Sequence, residues 1–197
     1  LGIIRNTAEF MLNEAKGEDT LVADIKKIKN SSKFCELVVR NLLTLGGNEV
    51  FEPVNVNIEK TAQDVYLMLE RKLVDVEIEI DPDPETHSIK ADEGQIRQVF
   101  MNLIKNAGEA MPEGGRLTIN THREGSMLRI QVSDTGCGIS AETGKHLFEK
   151  FFTTKAKGYG LGLHIVRTIV TRHGGTIKFE SIVDEGTTFT LHLPIEQ

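Results

Sequence analysis

Between Gln95 and Met111 the apolar residues Ile96, Val99, Phe100, Leu103, Ile104 and Ala107 recur at helical spacing, the mark of a helix with one face committed to a core. The same stretch contains Asn102-Leu103-Ile104-Lys105-Asn106-Ala107, so two asparagines stand four apart and project from one side, one turn apart. Asparagine is a mediocre helix former, and a pair in mid-helix costs roughly a few tenths of a kcal/mol. On their own the two suit a solvent-facing stripe as well as a polar site. Three glycine-bearing segments follow: Asp134-Thr135-Gly136-Cys137-Gly138, Gly158-Tyr159-Gly160-Leu161-Gly162-Leu163 and Gly186-Thr187-Thr188-Phe189. Each alone is weak evidence. Their order and distances constrain the chain together.

The chain has 197 residues, room for one large domain or for a small element plus one ordinary domain. Its apolar share of 39% and charged share of 26% are those of a soluble globular protein. No run of 18 apolar residues occurs, so no membrane contact is expected, and no signal-peptide pattern opens the chain. A chain opening on Leu1 rather than Met reads as a fragment whose remaining parts could include a membrane anchor. The net charge of −6 argues against nucleic-acid binding, which leaves a basic footprint. Cys35 and Cys137 make neither a disulfide framework nor a metal site, and a reducing cytoplasm is the simplest setting.

From Leu21 the apolar positions run Leu21, Ile25, Ile28, Cys35, Val39, Leu42, with Ser32 filling the gap. The steps alternate four and three, as in a coiled-coil seam. Upstream, Ile4, Ala8, Met11 and Ala15 keep this rhythm until Gly17-Glu18-Asp19-Thr20 breaks it. Two antiparallel helices are expected over 1–47, with an apolar face that either dimerises or packs on the following domain. Gly46-Gly47-Asn48 ends the second helix, and a new domain is expected over 51–197. There, Val54 to Ile58 reads as a strand, Glu59 to Leu73 as a helix, and Val76 to Ile80 as a strictly alternating strand stopped by Pro82 and Pro84. Leu117 to Thr121 and Leu128 to Ser133 form a hairpin across Arg123-Glu124-Gly125-Ser126. A helix over Leu161 to His173 and strands over Thr176 to Ser181 and Thr187 to Leu193 close the pattern. This mixture predicts an α+β fold, a two-layer α/β sandwich with helices on one face of the sheet, preceded by the antiparallel helical hairpin.

The chemistry is legible at several points. A carboxamide oxygen is a hard, neutral ligand suited to Mg²⁺ carried by a triphosphate. Asp134 follows an alternating strand, where a carboxylate can accept from the amino edge of a base, though Asp-Thr-Gly is also an ordinary turn. Gly136 and Gly138 lack Cβ and let backbone approach a flat ring. Phe151 and Phe152 are expected to anchor a loop, Thr153-Thr154-Lys155-Ala156-Lys157, that is basic in the middle and glycine-rich at its far end. That is the composition of a lid over phosphates, its lysines gaining partners only when phosphates arrive. The glycines run G-x-G-x-G after a loop, against a dinucleotide fingerprint, and Gly144-Lys145-His146 is no Walker A sequence. A helix from Leu161 offers its first amides to phosphate oxygens. A hydroxyl from Gly186-Thr187-Thr188 could bond beside an adenine amino group, or simply open a strand.

Taken together, the Asn102 to Ala107 motif and the three glycine segments resemble the ATP-binding domain of two-component sensor histidine kinases, in the superfamily that also holds gyrase, mismatch-repair ATPases and the heat-shock chaperone ATPase. The resemblance implies the Bergerat ATP-binding fold, with ATP and Mg²⁺ as cofactors. It assigns the metal to Asn106, the phosphates in part to Asn102, and the adenine amino group to Asp134. By the same resemblance Gly136, Gly138, Ile139, Thr154, Lys155, Gly158, Tyr159, Gly160, Leu161, Gly162, Leu163 and Thr187 complete the nucleotide site. One departure is Glu109, at a position where many family members carry a basic residue. The implied partners are a response-regulator receiver domain and a second copy of the chain through the hairpin.

Such kinases phosphorylate a histidine on the first hairpin helix, yet His87, His122, His146, His164, His173 and His192 are the six histidines here and none precedes residue 87. The opening Leu1 to Glu9 resembles the stretch that follows the acceptor, so acceptor and neighbouring acidic helper are expected before Leu1. With Asn102 where gyrase-type ATPases carry a glutamate base, the chain is expected to bind ATP and hydrolyse it poorly, without phosphorylating itself. The rival readings are a non-catalytic ATP-responsive scaffold and a superfamily ATPase or serine kinase. The acidic residue those ATPases and serine kinases carry at position 102 weighs against the last.

Overall fold

The computed structural model describes scattered positions between Ile3 and Cys35, then residues 52–83, 88–155 and 158–196. The chain forms two compact units, Leu1–Val50 and Phe51–Gln197.

In the first unit the described residues, at 3, 4, 6–8, 11, 22, 25, 27–29, 31, 32 and 35, are helical. Ala8, Ile25 and Ser32 are buried, while Ile3, Ile4, Met11 and Ile28 remain exposed. Ile4, Ala8, Ile25 and Ile28 help line an apolar groove of about 210 Å³. The seam residues Ala15, Leu21, Val39 and Leu42, the Gly17 to Thr20 break and the Gly46 to Asn48 stop lie outside the described residues.

The second unit opens with β1 (Val54–Val56) and α1 (Ile58–Leu69), the latter extended by a 3₁₀ turn, Glu70–Lys72. The strand is shorter than its alternation suggests because the Asn57 side chain accepts from the Lys60 amide at 2.7 Å and starts the helix there. Then come β2 (Val76–Asp81) and β3 (Ile89–Ala91), a three-residue strand too short to show a period. Helix α2 (Glu93–Ala110) begins at Asp92, whose carboxylate accepts from the Gln95 amide at 3.0 Å. Strands β4 (Gly115–Glu124) and β5 (Met127–Asp134) form the expected hairpin around Gly125 and Ser126. The short helix α3 (Ala141–His146), the helix α4 (Gly162–Arg172), and β6 (Thr176–Ile182) with β7 (Gly186–Pro194) complete the unit.

The main sheet has the order β2-β4-β5-β7-β6, antiparallel except for the β2–β4 pair, while β1 and β3 pair separately. One sheet face carries Leu117, Ile119, Leu128, Ile130, Val132, Phe189, Leu191 and Leu193, all buried. Against it lie Ile96, Val99, Phe100, Leu103, Ile104 and Ala107 of α2, each at most 3% exposed, and Ile165, Val166, Ile169 and Val170 of α4. Each of the larger side chains among them contributes about 1.5–3 kcal/mol by leaving water. Helix α2 packs on both α1 and α4, so its apolar stripe fixes which way its polar side points. Helices on one face of a mixed sheet are the expected two-layer α+β sandwich. Among the described residues no helix is long and apolar enough to cross a membrane.

Candidate functional site

Asn102 and Asn106 are half-buried on α2, beside the core stripe rather than within it. The Asn102 amide donates to the Gln98 carbonyl at 2.9 Å, which turns its Oδ1 outward from the helix. A Cβ added at Gly162 would stand 3.0 Å from that oxygen, so glycine brings the start of α4 close to Asn102. One turn on, Asn106 Oδ1 accepts from Lys155 Nζ at 3.3 Å. Lys155 also meets Glu109, which in turn faces Lys105 at 3.6 Å.

Asp134 ends β5, paired with Leu117 on one side and Thr187 on the other. Strand alternation puts it on the same face as Val132 and Ile130, toward the helices. Its Oδ1 accepts from the Gly136 amide at 3.0 Å. Burial pushes the carboxyl above its ordinary value of 3.8, opposed by the backbone of Gly136 and Thr187 and by the positive charge of Lys155.

Backbone approach explains the glycines. A Cβ at Gly136 would stand 2.6 Å from the Ala110 carbonyl, the same carbonyl that accepts from the Cys137 amide at 3.1 Å. Gly138 has φ 66° and lies against the Ile182 carbonyl, where a side chain would collide. Ser181 then joins three segments. Its hydroxyl oxygen accepts from the Ile139 amide at 2.8 Å, donates to the Gly186 carbonyl at 2.8 Å and meets Thr187 Oγ1 at 2.9 Å. Since the Ser181 proton goes to Gly186, the Thr187 hydroxyl donates to Ser181 and is left able only to accept. Nothing in the sequence singles out Ser181 beyond its inward position on β6.

In the segment after α3, Phe148 packs on the core with Phe179, ring centroids 6.0 Å apart, and its carbonyl bonds His164 Nδ1 at 3.1 Å. Phe152 sits 5.5 Å from the His146 ring. Phe151 is not the expected anchor. It is 66% exposed with φ 65°, and a left-handed backbone at a bulky residue turns its side chain out of the run on either side. Gly160, also at φ 65°, lies with its backbone against Phe151 and Phe152, so the two ends of the segment are pinched together. Between them the Lys155 amide donates to Thr153 Oγ1 at 3.1 Å and the Gly158 amide to the Lys155 carbonyl at 3.0 Å.

Thr154 and Tyr159 are exposed, whereas Leu161 is buried and Leu163 half-buried against the core. Those two leucines therefore offer a ligand their backbone rather than their side chains. Among the described residues no side chain caps α4, and no acidic residue sits in its first turn, which leaves its first amides available to an anion. Ala156 and Lys157 lie outside the described residues. Lys155 has oxygen partners on α2, in Asn106 and Glu109. All three glycine segments thus touch α2 or one another.

Residues 91–197 match the family described as histidine kinase-, DNA gyrase B-, and HSP90-like ATPase, and the chain belongs to that family of ATP-binding domains. Within it the similarity points to sensor histidine kinases. The chain is 34% identical over 206 residues to the sensor kinase CckA of Brucella abortus, covering 95% of this chain but only 22% of that protein. It spans less than half the length of other such curated relatives, for example 41% of sporulation kinase C of Bacillus subtilis. The solved catalytic domain of histidine kinase ThkA matches with 33% identity and a TM-score of 0.67, over 74% of this chain and 97% of that one. Histidine kinase ThkA in complex with response regulator protein TrrA matches 98% of this chain and 57% of that one, with 29% identity and a TM-score of 0.73.

Proposed function

We propose that the intact protein is a sensor histidine kinase of a two-component system, with residues 51–197 as its catalytic domain and residues 1–47 as its dimerisation hairpin. The observation that carries the site assignment is the pair of acceptors at the end of β5. The Asp134 carboxylate and the Thr187 oxygen both accept, and they stand across one strand pair. An adenine presents an exocyclic amine to such a pair, and a guanine presents a carbonyl. Gly136 and Gly138 let the ring approach, with Ile139 beside it. The open amides from Gly160 to Leu163 take phosphate oxygens, and Lys155, Thr154, Gly158 and Tyr159 cover them. Asn102 supports the phosphates.

Asn106 is the proposed metal ligand. Its oxygen and the neighbouring Glu109 already hold the ammonium of Lys155, so this turn accepts a cation. Magnesium, when bound, would neutralise phosphate charge and fix the γ-phosphoryl for in-line attack. The transfer breaks the bond from the γ-phosphorus to the bridging oxygen of ADP and forms a bond to a histidine nitrogen. A response-regulator aspartate then receives the phosphoryl group, a role supported by the ThkA complex with TrrA. The exposed Ile3, Ile4, Met11 and Ile28 support pairing of two hairpins.

Residues 1–47 hold no histidine, so this chain should bind ATP without phosphorylating itself. Incubation with γ-labelled ATP tests the reading. The chain alone should carry no acid-labile phosphate. Adding before Leu1 a helical segment with a histidine followed by an acidic residue should produce it, with onward transfer to a receiver domain. Acid-labile phosphate on the unextended chain would place the acceptor among the six downstream histidines and defeat this domain assignment.

A further inference from the structure

Two oxygens from one helix converge on a single cation at the phosphate end of the site. Asn106 and Glu109 stand three apart on α2 and so share a face. Lys155 Nζ reaches across from the loop to Asn106 Oδ1 at 3.3 Å, 49 positions away, and to the Glu109 carboxylate, 46 positions away. The loop is braced for this reach by the Lys155 amide bond to Thr153, the Gly158 amide bond to Lys155 and the Gly160 backbone against Phe151. Neither side chain is buried, at 43% and 39% exposed, so the pair is breakable. Glu109 has a second cation at hand, since Lys105 stands 3.6 Å from its other oxygen.

We propose that Glu109 is a positioning residue that latches Lys155 beside Asn106, so that the lysine must leave this pair where metal and phosphates would enter. The proposal rests on the assignment of Asn106 and Lys155 to metal and phosphates. ATP with its metal displaces the lysine. Lys155 exchanges a carboxylate for phosphate oxygens, and Glu109 falls back on Lys105 rather than being left unpaired. Glu109 thereby weakens nucleotide binding and couples loop release to the arrival of phosphates, not of the base.

Four proteins test this: wild type, Glu109→Gln, Lys155→Met and the double variant, each titrated with ATP and Mg²⁺ and followed by amide exchange across residues 151–160. Without nucleotide, Glu109→Gln should speed exchange at the amides of Lys155 and Gly158. It should also tighten Mg-ATP by about two- to fivefold, the worth of a half-exposed ion pair. In the Lys155→Met background the same substitution should change affinity by less than about twofold. An equal gain in that background would mean that Glu109 merely repels phosphate. Weaker binding in Glu109→Gln would make Glu109 a metal ligand. Either result overturns the latch. If the wild type binds no ATP, the nucleotide assignment fails, and unchanged exchange in Glu109→Gln would still decide separately against the latch.

Discussion

At the Asp134 end of the site the contacts are backbone against backbone, whereas at the Lys155 end they are made by the tips of long side chains. Gly136 lies on the Ala110 carbonyl, Gly138 on the Ile182 carbonyl and Gly186 against Asp134, with Ser181 tying the Ile139 and Gly186–Thr187 segments to β6. At the other end one ammonium, half exposed, chooses between a carboxamide and a carboxylate. Backbone packing has few alternative arrangements, while a surface ion pair is worth about 1 kcal/mol or less and trades partners readily. On the proposed assignment, selectivity for the base falls to the rigid end and response to phosphates to the soft one.

The contrast breaks most visibly at Gly138. Alanine there must hold φ near 66° and meet the Ile182 carbonyl, so Gly138→Ala should lower stability by about 1–3 kcal/mol and ATP affinity with it. Thermal unfolding and titration of that variant beside Lys155→Met would show it, because the second should leave the melting temperature almost unmoved. Equal losses in both would erase the distinction between the ends.

Asn106→Ala separates metal from base at a smaller scale. ATP affinity in Mg²⁺ should fall by roughly tenfold, and the gain that Mg²⁺ gives should disappear, while adenosine binds nearly as before. If adenosine weakens as much as ATP, the assignment of α2 to the phosphate end is wrong.

The smallest effect concerns how α2 is held. Buried His173 donates from Nδ1 to the Ile169 carbonyl at 2.9 Å and accepts at Nε2 from the Asp92 amide at 3.1 Å, at the start of α2. Burial is the chief cause that moves it below the ordinary 6.5. A depressed value means that the folded protein binds fewer protons than the unfolded chain. Stability is then complete above about pH 6.5 and declines as pH falls through the folded-state value. Denaturant midpoints measured from pH 8 down to pH 5 should drop gradually in wild type and less steeply in His173→Gln. Parallel curves would remove His173 from the support of α2.

The sequence made the framework of the site legible because its periods are long. The α2 stripe from Ile96 to Ala107 and the alternation of Phe189, Leu191 and Leu193 each repeat often enough to be read, and all are buried as expected. Strand β3 and helix α3 are too short to show a period. Phe151 looked like an anchor because aromatic residues usually bury, but its left-handed backbone sends it outward. Glu109 stood out as a departure, yet its pairing with Lys155 spans 46 positions and depends on where a loop folds back. Ser181 is one polar residue in an alternating strand, and only the turn that brings Ile139 and Gly186 to it reveals its part.

The central claim is that Asp134 reads the base, and titration of ATP against GTP in wild type and Asp134→Asn, with the melting temperature of each protein, tests it most directly. Wild type should favour ATP by about 2–3 kcal/mol, roughly 30- to 150-fold, because a guanine carbonyl would bring no hydrogen to the carboxylate and set one acceptor against another. Asp134→Asn should lose most of that preference. Since burial raises the folded-state value of this carboxyl, the charged form opposes folding at neutral pH, and the variant should melt no lower than wild type. Equal affinity for the two nucleotides in wild type, or full discrimination retained without the carboxylate, would contradict the account.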